Sequence, residues 1–197
     1  MQNCNQKILI TLVFLLICVR TFAQWEISLG AGATIPITGY SEVFKTGWLI
    51  NAEGKHRFND EKFAVGMNVH FARLQHDKNP QDMFQNARLT VAPVIFFAEY
   101  EFALGKIHPY VAAGIGLSMF NVTYDTSTTS GYADFNLTFS MSPRAGLRYS
   151  VNERIYPYLE ASLILLADGP PIYFPHSEKM TGYSAISAGV CYRFSNK

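Results

Sequence analysis

Between Phe135 and Val151 the chain alternates without a break. The odd positions (Phe135, Leu137, Phe139, Met141, Pro143, Ala145, Leu147, Tyr149 and Val151) are all apolar, while the even positions from Asn136 through Ser142, Arg144 and Arg148 to Ser150 are polar or glycine. A repeat of two belongs to a strand, because successive side chains leave opposite faces of the pleat; a helix repeats every 3.6 residues. The two faces of this strand therefore meet different surroundings, and the nine apolar residues in a row on one of them need an apolar environment along its whole length.

Seven further segments follow the same rule: 25–35, 47–58, 63–74, 88–102, 107–124, 155–166 and 182–194. The parity is least distinct in the fourth, at Ile95, Phe96 and Phe97. Their connections alternate as well. Those after strands two, four and six are short (59–62, 103–106 and 152–154), and those after strands one, three, five and seven are long (36–46, 75–87, 125–134 and 167–181). Short turns at one end and long loops at the other are the layout of an outer-membrane barrel, with turns in the periplasm and loops outside. The expected fold is all-β, an eight-stranded antiparallel up-and-down transmembrane β-barrel. An even strand count returns both termini to the periplasmic side.

Placing the apolar parity outward sends ten charges inward: Glu26, Glu53, Lys55, Arg57, Glu99, Glu101, Arg144, Arg148, Glu160 and Arg193. The opposite choice would put bases in lipid, at about 2–4 kcal/mol for each one near mid-depth. It also separates the chain from an eight-stranded lipocalin type of barrel, whose interior is apolar and whose exterior is wet. Aromatic residues gather towards the segment ends, Trp25, Phe58, Phe63, Tyr100, Phe102, Tyr149 and Phe194 at the turn end and Trp48, Phe71, Tyr124 and Phe135 at the loop end. Two such groups suit the girdles of a barrel at the two membrane interfaces.

The N-terminus carries Lys7, an apolar run from Ile8 to Val19 broken only by Thr11, and Thr21-Phe22-Ala23 before Gln24. That is the pattern of a cleaved secretory signal peptide, and the run is too short for a helical span of about 20 residues. The expected organisation is a signal peptide over 1–23 and a barrel domain over 24–197. Removing Lys7 and Arg20 takes the formal net charge from +1 to −1, which leaves no electrostatic footprint for nucleic acid. Cys4 and Cys18 leave with the leader, so Cys191 has no intramolecular disulfide partner.

The stretches PYVAAGIGL (Pro109–Leu117), SPRAGLRY (Ser142–Tyr149) and PYLEA (Pro157–Ala161) resemble the strand signatures of the OmpA/OmpX-like β-barrel domain family. The last strand, with Ile186, Ala188, Val190, Tyr192 and Phe194 in alternation, is similar to the C-terminal signal read by the outer-membrane insertion machinery, although Ser195-Asn196-Lys197 follow it. The resemblance covers about residues 25–194 and implies outer-membrane lipid and that machinery as partners. It does not imply the peptidoglycan-tethering domain of longer relatives.

An eight-stranded barrel is just wide enough for side chains to fill. Five inward acids facing five inward bases are therefore read as a plug of ion pairs rather than as the lining of a pore. The role expected is structural or one of surface interaction through the long loops, where an extracellular ligand or protein would bind. The alternatives are lateral passage of small hydrophobic molecules through the wall, with Tyr110, Phe120, Tyr156, Tyr158 and Ile164 as an apolar throat, and lipid A modification by His176-Ser177-Glu178. Adjacent residues rarely point at one another, so no catalytic residue is assigned. His70, His76 and Asp77 show no metal-ligand spacing, and no metal or cofactor is expected.

Overall fold

Lipid offers no hydrogen bonds, so a sheet that crosses a membrane must satisfy its own edges by closing. The computed structural model, which describes residues 24–37, 44–58, 62–76, 85–102, 104–125, 130–132, 136–167 and 181–194, closes in this way. Its strands are β1 (Gln24–Ile37), β2 (Phe44–Arg57), β3 (Phe63–His76), β4 (Gln85–Glu101), β5 (Ile107–Asp125), β6 (Ser130–Tyr132), β7 (Asn136–Tyr149), β8 (Ile155–Leu166) and β9 (Thr181–Phe194). β6 has three residues and, among the described residues, pairs with the far end of β5 alone. The other eight pair antiparallel with their sequence neighbours, and β9 returns to β1. The eight-stranded up-and-down barrel expected from the sequence is the fold.

Following backbone partners around the wall shows how the strands are staggered. The path from Gln24 runs through Arg57, Ala64, Glu99, Ala112, Arg144, Ser162 and Ala185, and re-enters β1 at Thr34, ten residues further along. A stagger of that kind tilts the strands against the barrel axis, typically by about 35–45°.

Several strands reach beyond the alternating segments at the loop end. β2 starts at Phe44, past a register shift between Lys45 and Trp48, and β4 starts at Gln85. β3 runs on to His76, which belongs to the strand and not to the following connection. Hydrogen bonding continues there without lipid on one face, so no strict parity marks it. At the other end Phe58, Phe102 and Val151 lie just outside the strands, where chain reversal takes over. Gly105 turns the chain with a φ of 66°, a left-handed conformation that suits glycine, and Asn152 Oδ1 accepts hydrogen bonds from the amides of Arg154 (2.9 Å) and Ile155 (2.8 Å).

Parity sorts the side chains as alternation requires. Leu29, Phe96, Ile115, Leu137, Leu159 and Ile186 are exposed on the outer face, where lipid would cover them. Phe97 and Ile95 point inward and Phe96 outward, which resolves the ambiguous stretch of β4. The interior has two halves. Charged and aromatic residues fill the turn end, and at the loop end Phe44, Leu49, Leu74, Leu89, Phe120 and Ile164 belong to an apolar cluster.

Inward glycines make room for the largest rings. A Cβ on Gly146 would lie 2.5 Å from the Tyr110 ring, and one on Gly30 or Gly189 would meet Tyr158. Gly54, on the outer face, has nothing within 4 Å of such an atom. Gly146→Val should therefore cost about 1–3 kcal/mol in urea titrations of the lipid-folded protein. Gly54→Ala should change stability by less than about 0.5 kcal/mol. Equal effects of the two substitutions would contradict this packing.

Candidate functional site

The turn-end half of the lumen is built by six strands that each project charge inward. β1 supplies Glu26; β2 supplies Glu53, Lys55 and Arg57; β4 supplies Glu99 and Glu101; β7 supplies Arg144 and Arg148; and Arg193 comes from β9, with Glu160 added by β8. All ten are at most 7% exposed. A lone charge in such a place would be prohibitively expensive, so pairing is what makes the arrangement possible.

Lys55 Nζ sits among three carboxylates, 3.0 Å from Glu99, 3.2 Å from Glu26 and 3.2 Å from Glu53. The Arg57 guanidinium donates to Glu26 (Nε, 2.9 Å), Glu99 (3.0 Å) and Glu101 (2.9 Å). Arg148 holds Glu99 with two nitrogens, each at 2.7 Å, and donates to Glu101 at 2.6 Å. Such forked contacts are among the strongest hydrogen bonds available to side chains. Arg193 Nε donates to Glu26, and its Nη2 lies 3.6 Å from Glu101. Further along the axis, Arg144 Nη1 donates to Glu53 at 2.7 Å and to Glu160 at 3.3 Å. Lys55, which touches both Glu53 and Glu99, joins the two parts into one network.

Aromatic rings complete the packing. Arg148 lies over Tyr110 (3.7 Å to the centroid), Arg144 over Phe97 (4.2 Å) and Arg193 over Tyr156 (4.5 Å). Tyr110 also donates to Glu160 at 3.0 Å, and Tyr158 donates to Asn51 at 3.3 Å. The space left between Ser28, Asn51, Glu53, Tyr110, Arg148, Tyr158 and Glu160 totals about 180 Å³ and admits no water-sized sphere. At the mouth, His108 Nδ1 is 3.1 Å from Glu101, and Cys191 Sγ is 3.6 Å from Glu26.

Sequence reasoning assigned the charges but not their aromatic partners. Tyr110 and Tyr156 carry the inward parity, which allows either a throat or packing among the charges, and they pack over Arg148 and Arg193; Phe97 is hidden by the apolar run around it. Phe120 and Ile164 lie instead in the apolar loop-end cluster. The chemistry of the charged set is pairing. No group of three metal-ligating side chains occurs among the described residues. Asp77 and His176-Ser177-Glu178 lie outside the described residues.

A closed antiparallel wall with an apolar outer face and ten charged side chains turned inward defines the class: a transmembrane β-barrel. Over residues 9–194 the chain matches the outer membrane protein beta-barrel domain family, and it belongs to that family. This is the kind of small outer-membrane barrel that the OmpA-like strand signatures indicated. No curated protein matches the chain by sequence.

Solved structures of similar fold include neisserial surface protein A, with 16% identity and a TM-score of 0.58 over 87% of this chain and 99% of that one. Outer membrane protein OprG from Pseudomonas aeruginosa is 14% identical, with a TM-score of 0.59 over 89% and 97% of the two chains. Ail, the attachment invasion locus protein of Yersinia pestis, is 13% identical, with a TM-score of 0.51 over 87% and 97%. At these identities the likeness is one of fold.

Charge removal should reveal how the network is weighted. Glu99 touches Lys55, Arg57 and Arg148, whereas among the described residues Glu160 pairs with Arg144 and Tyr110 alone. Glu99→Gln should destabilise the folded barrel by about 3–5 kcal/mol, since it leaves buried cations short of a counter-charge. Glu160→Gln should cost about 1–2 kcal/mol, because it loses one charged hydrogen bond. Urea titration of both variants in the same lipid gives the comparison, and a Glu160 effect as large as that of Glu99 would contradict the weighting.

Proposed function

We propose that this protein is a non-enzymatic outer-membrane barrel whose lumen is closed by its ion-pair network, and that it works as a scaffold presenting its long connections at the cell surface. Residues 1–23 are removed on export, the short turns and both termini face the periplasm, and outer-membrane lipid surrounds the wall. The observation that carries this reading is the sharing of carboxylates: Glu26, Glu99 and Glu101 each contact three bases, in an interior with no water-sized gap among the central residues. An interior so cross-linked is a poor conduit and a stiff support.

Surface recognition is the activity best suited to such a support, because loops on a rigid scaffold can vary without unsettling it. Ail, which shares the fold, is known in complex with the heparin analogue sucrose octasulfate. Lateral passage of hydrophobic molecules has less support, since Tyr110 and Tyr156 are occupied in covering Arg148 and Arg193.

Purified protein reconstituted in a planar bilayer should show no steady channel. A stable conductance of nanosiemens scale, present in most insertions, would overturn the plugged reading.

A further inference from the structure

Four large side chains stand in a row around the outer wall, each backbone-paired with the next: Phe96 on β4, Ile115 on β5, Met141 on β7 and Leu165 on β8. The adjoining row on the turn side is small, with Ala98, Ala113 and Pro143 paired in the same order. The row beyond that is large again at Tyr100 and Val111. Small residues between large ones leave a trough, and an apolar groove of about 510 Å³ lies there, lined from Phe96 across to Leu165. It faces outward, with Phe96 63% and Ile115 55% exposed.

The trough has a closed end and a slant. Proline has no N–H to give to a ladder, and among the described residues no β7–β8 pairing falls between Met141–Leu165 and Arg144–Ser162. The small row therefore stops at Pro143, under Leu165. Rows cross their strands at right angles and the strands lean against the barrel axis, so the trough climbs as it goes round. It begins on β4 at Ala98, close to the turn-side end of that strand at Glu101, and finishes at Leu165, next to the loop-side end of β8. Four strands at about 4.8 Å spacing give it a length of about 14 Å.

An empty trough would forfeit the dispersion contacts of its lining. A second copy of the barrel is a poor filler, because a two-fold pair sets trough against trough and lets only the large rows meet. A hydrocarbon chain is narrow and flexible, and the trough is continuous with the face that lipid covers. No lining side chain carries a charge or a hydrogen-bonding group, so the fit is to a lipid tail and not to a headgroup. The end nearer a membrane interface on the open side is the one at β4, among the turn-end aromatics Tyr100 and Phe102.

We propose that this trough is a binding site for one acyl chain of a glycerophospholipid from the turn-side leaflet, held more firmly than the lipid around the rest of the wall. The chain enters beside Ala98, lies across Ala113 and Pro143, and ends against Leu165. This inference rests on the placement of the turns in the periplasm.

Native mass spectrometry of the full-length barrel, extracted from outer membranes in mild detergent, tests the site. At the lowest collision energy that strips detergent, one glycerophospholipid should remain on each barrel. Ala113→Leu, which fills the trough, should lower the ratio of lipid-bound to free barrel tenfold or more, equivalent to about 1.4 kcal/mol. Ala31→Leu, on the outer face of β1 across the barrel, should leave that ratio unchanged. If Ala113→Leu fails the heat-modifiability check for a folded barrel, Ala98→Leu takes its place with the same expectation.

No retained lipid, equal retention in the two variants, lipid A in place of phospholipid, or a dimer that Ala113→Leu dissolves would each overturn the site. Protease added to intact cells checks the orientation separately. Cleavage confined to the short turns would overturn the placement of the turns, whatever the lipid counts.

Discussion

The hydrogen-bonded seam between β1 and β9 is the constraint on which everything else depends. It runs through thirteen residue pairs, from Trp25 opposite Phe194 to Ile37 opposite Gly182, and without it the backbone groups along both edges would face lipid unpaired, at several kcal/mol apiece. Closure with eight strands then fixes the bore, and the bore fixes what the interior can contain. A lumen this narrow has room for side chains and little else. The ten inward charges have to find one another because bulk water is not available to them.

That requirement explains the form of the network. Four bases and three acids share the turn end (Lys55, Arg57, Arg148 and Arg193 with Glu26, Glu99 and Glu101), while Arg144 stands between Glu53 and Glu160 further in. Each set alone is unbalanced by one charge and the two cancel. Lys55, in contact with both Glu53 and Glu99, sits where they meet. The rings of Tyr110, Phe97 and Tyr156 present π faces to three of the arginines and fill the remaining gaps without adding charge. The inward glycines Gly30, Gly146 and Gly189 are the counterpart of those rings, since each is small where a tyrosine needs space.

The wall was legible in the sequence because lipid imposes a hard rule on every second residue, and Phe135–Val151 obeys it without exception. The rule weakens where lipid ends, which is why the loop-end extensions of β2, β3 and β4 carry no pattern. The interior is harder to read, because parity says that a residue faces inward but not what it touches. Phe97 is unreadable in the run Ile95-Phe96-Phe97, and its place over Arg144 depends on strands 47 residues apart meeting across the barrel. Leu49, Leu74 and Leu89 sit on the inward parity and form an apolar half that charge counting does not suggest, since inward leucines resemble imperfections in a polar face. Partnerships such as Arg144 with Glu53 come from register and stagger, which only the folded chain supplies.

The central claim is that one parity of every strand faces lipid and the other a filled lumen. It is tested most directly by spin labels placed one at a time along β7, from Asn136 to Tyr149, in the barrel reconstituted in lipid. Collisional access to oxygen, which concentrates in the bilayer, should peak at Leu137, Phe139, Met141, Pro143, Ala145 and Leu147 and fall at every even position between them. A flat profile, a repeat near 3.6 residues, or maxima at Ser140, Ser142 and Arg144 would contradict the account.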